Sequence, residues 1–151
     1  MTLTASSTQA PAFFGRMPLL LSEQKRLADL VDSLRELCQV LEVGAAALPP
    51  RLDPPKLVDE LARVLAEHFA GADDALCRVA QRHDLLPAVV DLRSDHAALS
   101  DALSDLRLVA EDQAQWTELP RRIATLLRKL AAHREVEAAL IQEAARPANV
   151  A

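Results

Sequence analysis

The fold class this sequence predicts is all-α, an antiparallel up-down four-helix bundle, and three observations predict it. Half of the 151 residues are hydrophobic, but only 3% are aromatic and none is tyrosine. The core therefore has to be assembled from Leu, Ala and Val, the composition of packed helices. Pro and Gly divide the chain into four long segments whose apolar residues recur at helical spacing. Those segments resemble one another in pairs, as one helical hairpin used twice would.

Residues 1–16, rich in Ser, Thr, Ala and Pro, read as a flexible leader, residues 17–146 as the bundle, and residues 147–151 as a flexible tail. From Pro18 the first helix is expected to reach about Val43, with Leu27, Val31, Leu34, Cys38 and Leu41 as its apolar stripe. The stretch "GAAALPPRLDPP" then makes a loop, since four prolines in seven residues exclude a continuing helix. A second helix is predicted from about Lys56 to Arg82 and a third from Pro87 to about Ala110. The fourth runs from Thr117, as N-cap, to about Ala145, with Pro120 tolerated in its first turn. Trp116 is placed as an anchor that packs the preceding loop onto the end of the bundle. Four helices joined by short loops pack antiparallel.

Composition also removes several function classes. The formal net charge is -5 and the pI about 5.3, with Lys and Arg scattered, so no nucleic-acid footprint is expected. No stretch approaches the roughly 18 apolar residues that cross a bilayer. The N-terminus lacks the basic and continuous apolar regions of a signal peptide, which points to the cytoplasm. Cys38 and Cys77 form no C-x-x-C pair, fit a reducing compartment, and read as small core residues. The acidic runs "DLRSD" and "EDQ" read as solvated faces.

The repeat carries more information than any single element. At an offset of 72, "LLSEQKRLADLVDSLR" (Leu20 to Arg35) lies over "LRSDHAALSDALSDLR" (Leu92 to Arg107), and Glu23 falls opposite Asp95. At an offset of 65, "LARVLAEH" lies over "LLRKLAAH", which aligns His68 with His133. His133 and Glu137 share a stripe with Leu126, Leu130 and Leu140, His68 shares one with Leu61 and Leu65, and His96 begins one continued by Leu99, Leu103 and Leu106. Three imidazoles and a carboxylate thus point at the bundle axis. An ionised glutamate left unpaired there would cost several kcal/mol, and no Lys or Arg stands at a comparable inward position. A metal ion would satisfy every member, because bundles hold iron or manganese with carboxylate and His sets from facing helices. His83, roughly 22 Å further along a helix than His68, reads as a surface or helix-end residue.

From Pro18 to Ala145 these features resemble the hemerythrin-like, HHE cation-binding domain. That family is a four-helix bundle with a two-hairpin repeat. Its pattern puts a His after an acidic residue on helices one and three, and a His with a carboxylate one turn later on helices two and four. Asp95-His96 and His133-x-x-x-Glu137 match it, as does His68. The first half departs from it: helix one reads Glu23-Gln24, Ala72 stands four residues after His68, and the nearest carboxylate is Asp73. Bringing Asp73 onto the face of His68 requires a π-bulge at Gly71. The second helix-three His of oxygen carriers is replaced by Ser100. The resemblance implies His96 and His133 on one metal and His68 on another, bridged by Glu137 and Asp73, or a single ion held among His68, His96, His133 and Glu137.

Three function classes follow. The first, which the resemblance favours, is a non-haem iron protein with one or two ions, or manganese, that senses or handles oxygen, nitric oxide or iron. The second is a metal-free bundle of the same fold kept as an interaction or dimerisation module, with Gln24 and Ala72 as marks of ligand loss. The third is an enzyme that reduces peroxide or nitrosyl species, but without tyrosine the radical relay of some di-iron enzymes is missing. The partners implied are a small diatomic ligand or metal ion and, for the second class, another copy of the chain.

Overall fold

The computed structural model describes residues 17–44 and 47–146; the side chains of 17–21 are outside that description, as are the leader and the tail expected over 1–16 and 147–151. Four α-helices of nearly equal length follow one another: α1 (Met17–Glu42), α2 (Pro54–Val79), α3 (Leu86–Glu111) and α4 (Leu119–Ala145). Short 3-10 helices at Pro50–Leu52 and Gln113–Glu118 lie in the first and last connections. α1 and α3 each pack against both α2 and α4, the square arrangement of an all-α bundle.

Proline stands in the first turn of all four helices, Pro18 in that of α1. Pro54 and Pro55, Pro87, and Pro120 occupy the first turns of α2, α3 and α4, where a missing N–H leaves nothing unpaired. Two residues beyond the end of α1, Gly44 takes a φ of +69°, the left-handed conformation that lets the chain leave a helix. Thr117 is not the cap of α4: the 3-10 helix runs directly into it, and Asp112 caps that segment by accepting from the Ala114 N–H at 3.1 Å. Trp116 packs against the core and donates Nε1–H to the Ala110 carbonyl at 2.8 Å, anchoring this connection. α2 stops at Val79 rather than Arg82. Arg82 turns instead to the C-terminus of α4, donating to the carbonyls of Glu143 and Arg146 at 3.3 and 3.4 Å, where a cation suits the exposed carbonyls.

The core divides in two. The larger part gathers aliphatic residues of all four helices, including Leu34, Leu37, Leu61, Leu65 and Ile123 at 0% exposure. Full burial of each contributes about 1.5–3 kcal/mol. The α1 stripe keeps Leu27 and Leu34 from its expected line but takes Leu30 and Leu37 in place of Val31 and Cys38. Leu27, Leu30, Leu34 and Leu37 are buried, while Val31, Cys38 and Leu41 lie at the margin. A smaller cluster, Leu76, Val79, Leu85, Val89, Leu92 and Leu140, closes the other end. Between the two, in chain position on α2, α3 and α4, stand His68, His96, His133 and Glu137. No described helix is long and apolar enough to cross a membrane.

Candidate metal centre

Glu137 is the centre of this polar layer. It is 7% exposed, one turn beyond His133 on α4, so the regular i, i+4 spacing puts both on one face and brings its Oε2 to 3.1 Å from His133 Nε2. From α2, His68 Nε2 approaches Oε1 to 3.0 Å, and from α3, His96 Nε2 approaches Oε2 to 3.7 Å. His96 and His133 are 5% and 3% exposed, and their rings meet edge to face at 4.8 Å. His68 is half-buried. All three imidazoles thus present Nε2 to one carboxylate.

The opposite nitrogen of each ring meets a second acidic residue. His96 Nδ1 is 2.9 Å from Asp73 Oδ1, His133 Nδ1 is 3.5 Å from Asp95 Oδ2, and His68 Nδ1 is 3.6 Å from Glu23 Oε2. Asp73 therefore reaches the site behind His96, not beside Glu137. The π-bulge that would have turned it onto the face of His68 is not formed. α2 is α-helical through Gly71, and five α-helical residues rotate position 73 about 140° away from position 68, towards α3.

Phe69 completes the layer. It is buried, stacks on His96 with centroids 4.3 Å apart and 17° between planes, and lies 5.9 Å from the rings of both His68 and His133. Its place in the layer is not legible from the axis stripe, because the helix turns the residue after His68 about 100° aside. Its signal was its type, since few aromatics are available to this core. The sequence marks Glu23 and Asp95 as matched positions of the repeat and as the acids of the Glu23-Gln24 and Asp95-His96 pairs, not as groups that touch the imidazoles of the next helix.

Electrostatics follow from the packing. Burial alone would raise Glu137, but His133, His68 and His96 outweigh it and hold the carboxyl well below the usual carboxylate range. The neighbouring Glu137 carboxylate raises His68 above the ordinary imidazole value, against the opposing effect of burial. Burial pulls His133 down, yet Glu137 and then Asp95 more than compensate, and its net shift is upward. The centre is an anion ringed by three bases.

The donor chemistry fits a metal ion. His96, His133 and Glu137 offer ligand atoms that all lie within 4.8 Å of one another. His68 Nε2 and His96 Nε2 are buried and make no aligned hydrogen bond, although both face the carboxylate. Buried imidazole nitrogens normally find a partner, and a cation shared with Glu137 is one. The family description of the hemerythrin HHE cation-binding domain matches residues 17–145. The chain belongs to the hemerythrin HHE cation-binding family. Among curated proteins and among solved structures, no match was found. In this cation-binding domain the second hairpin brings His96, His133 and Glu137 inward and buries them, whereas in the first Gln24 is exposed and Ala72 offers no carboxylate. His83 is exposed in the turn between α2 and α3, remote from the centre.

Proposed function

We propose that the chain is a non-haem iron protein that senses or handles oxygen, nitric oxide or iron, holding one ion among His68, His96, His133 and Glu137. The observation that carries this reading is the convergence of three Nε2 atoms on one buried carboxylate, two of them without an aligned hydrogen bond. Imidazole and carboxylate together suit iron, and the same set takes manganese. A single ion is favoured over a pair because Gln24 is exposed, Ala72 cannot coordinate, and Phe69 packs against all three imidazoles. An iron ion at these donors supplies redox chemistry and a binding position for a small ligand. The protein's own part is to hold the donors, to exclude bulk water with Phe69, and to supply one negative charge through Glu137.

A cleft of about 70 Å³ between α1, α2 and α4 reaches this centre, lined among others by Gln24, Leu27, His68, Arg134 and Glu137. Its volume admits a few water-sized molecules, which suits a diatomic ligand better than an organic substrate. Free thiols at Cys38 and Cys77 accord with a cytoplasmic setting.

Elemental analysis of protein purified without chelator, then after anaerobic reconstitution with ferrous iron, tests the reading. About one iron or manganese per chain is expected. Gln24 and Ala72 favour a second reading, a metal-free bundle that serves as an interaction or dimerisation module, and a chain that takes up no metal on reconstitution would select it.

A further inference from the structure

We propose that Glu23, Asp73 and Asp95 form an outer ring of positioning carboxylates, each holding one imidazole by Nδ1 so that Nε2 of His68, His96 and His133 faces the centre. The three contacts follow chain order. Glu23 on α1 reaches His68 on α2, Asp73 on α2 reaches His96 on α3, and Asp95 on α3 reaches His133 on α4, at 3.6, 2.9 and 3.5 Å. Every imidazole thus meets an acid from the helix that precedes its own, within hydrogen-bonding reach at His96 and His133 and at ion-pair distance at His68, and α4 closes the arrangement by contributing Glu137.

The chemistry of a neutral imidazole makes such a clamp decisive. One ring nitrogen carries a proton and the other a lone pair, and a carboxylate can only accept. At His96 the acid at Nδ1 is nearer than Glu137 at Nε2, 2.9 against 3.7 Å, so it draws the proton to that side and leaves the Nε2 lone pair for a metal. At His68 and His133, where Glu137 is the nearer acid at 3.0 and 3.1 Å, the outer acid receives the proton once Glu137 and Nε2 share a cation. The outer acid also fixes the ring's rotation and strengthens it as a donor. The carboxylates lie at the rim, with side chains 33% (Glu23), 46% (Asp73) and 54% (Asp95) exposed, whereas those of His96 and His133 are 6% and 2% exposed. The ring thus links a buried centre to its surface.

Two of the contacts are one contact made twice. Glu23 and Asp95 are equivalent at the offset of 72, and His68 and His133 at the offset of 65, so each hairpin clamps its second-helix histidine with an acid near the start of its first helix. The Asp73–His96 contact joins the hairpins and has no counterpart, because Gln24 stands where the repeat calls for an imidazole. It is also the shortest of the three, and its loss is expected to matter most.

The effect on metal affinity rests on the metal-binding reading, but the proton position does not. Nitrogen-15 NMR of the metal-free protein, at a pH alkaline enough to make the imidazoles neutral, should place the His96 proton on Nδ1. In Asp73→Ala it should move towards Nε2. Ferrous titration of Asp73→Ala should show affinity weakened by about 10- to 100-fold, with the stoichiometry at saturation unchanged. Asp73→Asn, which keeps an acceptor oxygen, should recover part of the affinity, and Asp74→Ala, which removes an exposed neighbouring charge, should change nothing. A wild-type His96 proton on Nε2, unaltered affinity in Asp73→Ala, or equal weakening in Asp74→Ala would overturn the ring. A lowered stoichiometry in Asp73→Ala would overturn it too, by making Asp73 a ligand. If the wild type binds no metal, the proposed function falls while the NMR result still decides the ring.

Discussion

In the α3–α4 hairpin every polar group that faces the axis is buried, His96, His133 and Glu137 alike, whereas the α1–α2 hairpin turns Gln24 to solvent, half-buries His68 and has Ala72 where a carboxylate would stand. Their leucines show no such difference. Leu27 and Leu99, Leu34 and Leu106, Leu61 and Leu126, and Leu65 and Leu130 are equivalent pairs, and all eight are buried. Packing and chemistry are therefore separable in this bundle. Burial holds both hairpins to one frame, since each core leucine truncated to alanine would cost about 2–5 kcal/mol. At the rim, an amide or a methyl group in place of a ligand leaves that frame intact.

The comparison breaks most visibly at Glu137, the one acid that both hairpins use. Glu137→Ala should abolish metal retention altogether, as metal analysis of the reconstituted variant would show; full occupancy would mean that the imidazoles suffice. His68→Ala should do less, because it strips the incomplete hairpin alone. Weakened ferrous binding with one ion still bound at saturation is expected in a calorimetric titration, and loss as complete as in Glu137→Ala would make the hairpins equal.

Restoring the first hairpin sharpens the contrast in the other direction. α2 is regular through Gly71, so position 72 shares the face of His68, and Gln24 lines the cleft beside His68 and Glu137. The double variant Gln24→His with Ala72→Glu should raise metal content from one towards two ions per chain. Unchanged stoichiometry would show that helix one does not serve the site.

A smaller difference separates the thiols. Burial, then Glu42, pushes Cys38 up to about 11, so at pH 8 almost none of it is the reactive thiolate. Cys77 is exposed, with the Arg93 guanidinium donating to its sulfur at 2.8 Å. Iodoacetamide followed by mass spectrometry should modify Cys77 first, with Cys38 gaining reactivity as pH rises towards 11. Smallest of all, His83→Ala should leave metal content intact and stability within about 0.5 kcal/mol; loss of metal would misplace the register of α2.

The sequence made the fold readable because leucine spacing, proline punctuation and an internal repeat all point to one architecture. It made the inner site readable for the same reason, since His68, His96, His133 and Glu137 sit on apolar stripes whose inward direction a regular helix dictates. The outer shell was less accessible. Whether Asp73 faces Glu137 or the back of His96 depends on whether α2 is bulged at Gly71, and no residue pattern decides that. Glu23 and Asp95 lie off the inward stripe, and only the packing of neighbouring helices shows that their carboxylates reach across to an imidazole. Cys77, read as a small core residue, is exposed for a similar reason: its neighbour Leu76, not Cys77, carries the buried stripe of α2.

The central claim is that His133 binds metal in the folded chain. Equilibrium unfolding of the wild type and of His133→Ala, each with and without ferrous iron under anaerobic conditions, tests it most directly. A ligand bound only by the native state at 100 times its Kd stabilises by about 2.7 kcal/mol. The wild type should gain a stabilisation of that order, and His133→Ala should gain none. An equal gain in both proteins would contradict the account, leaving His133 a buried histidine held by Asp95 and Glu137 alone.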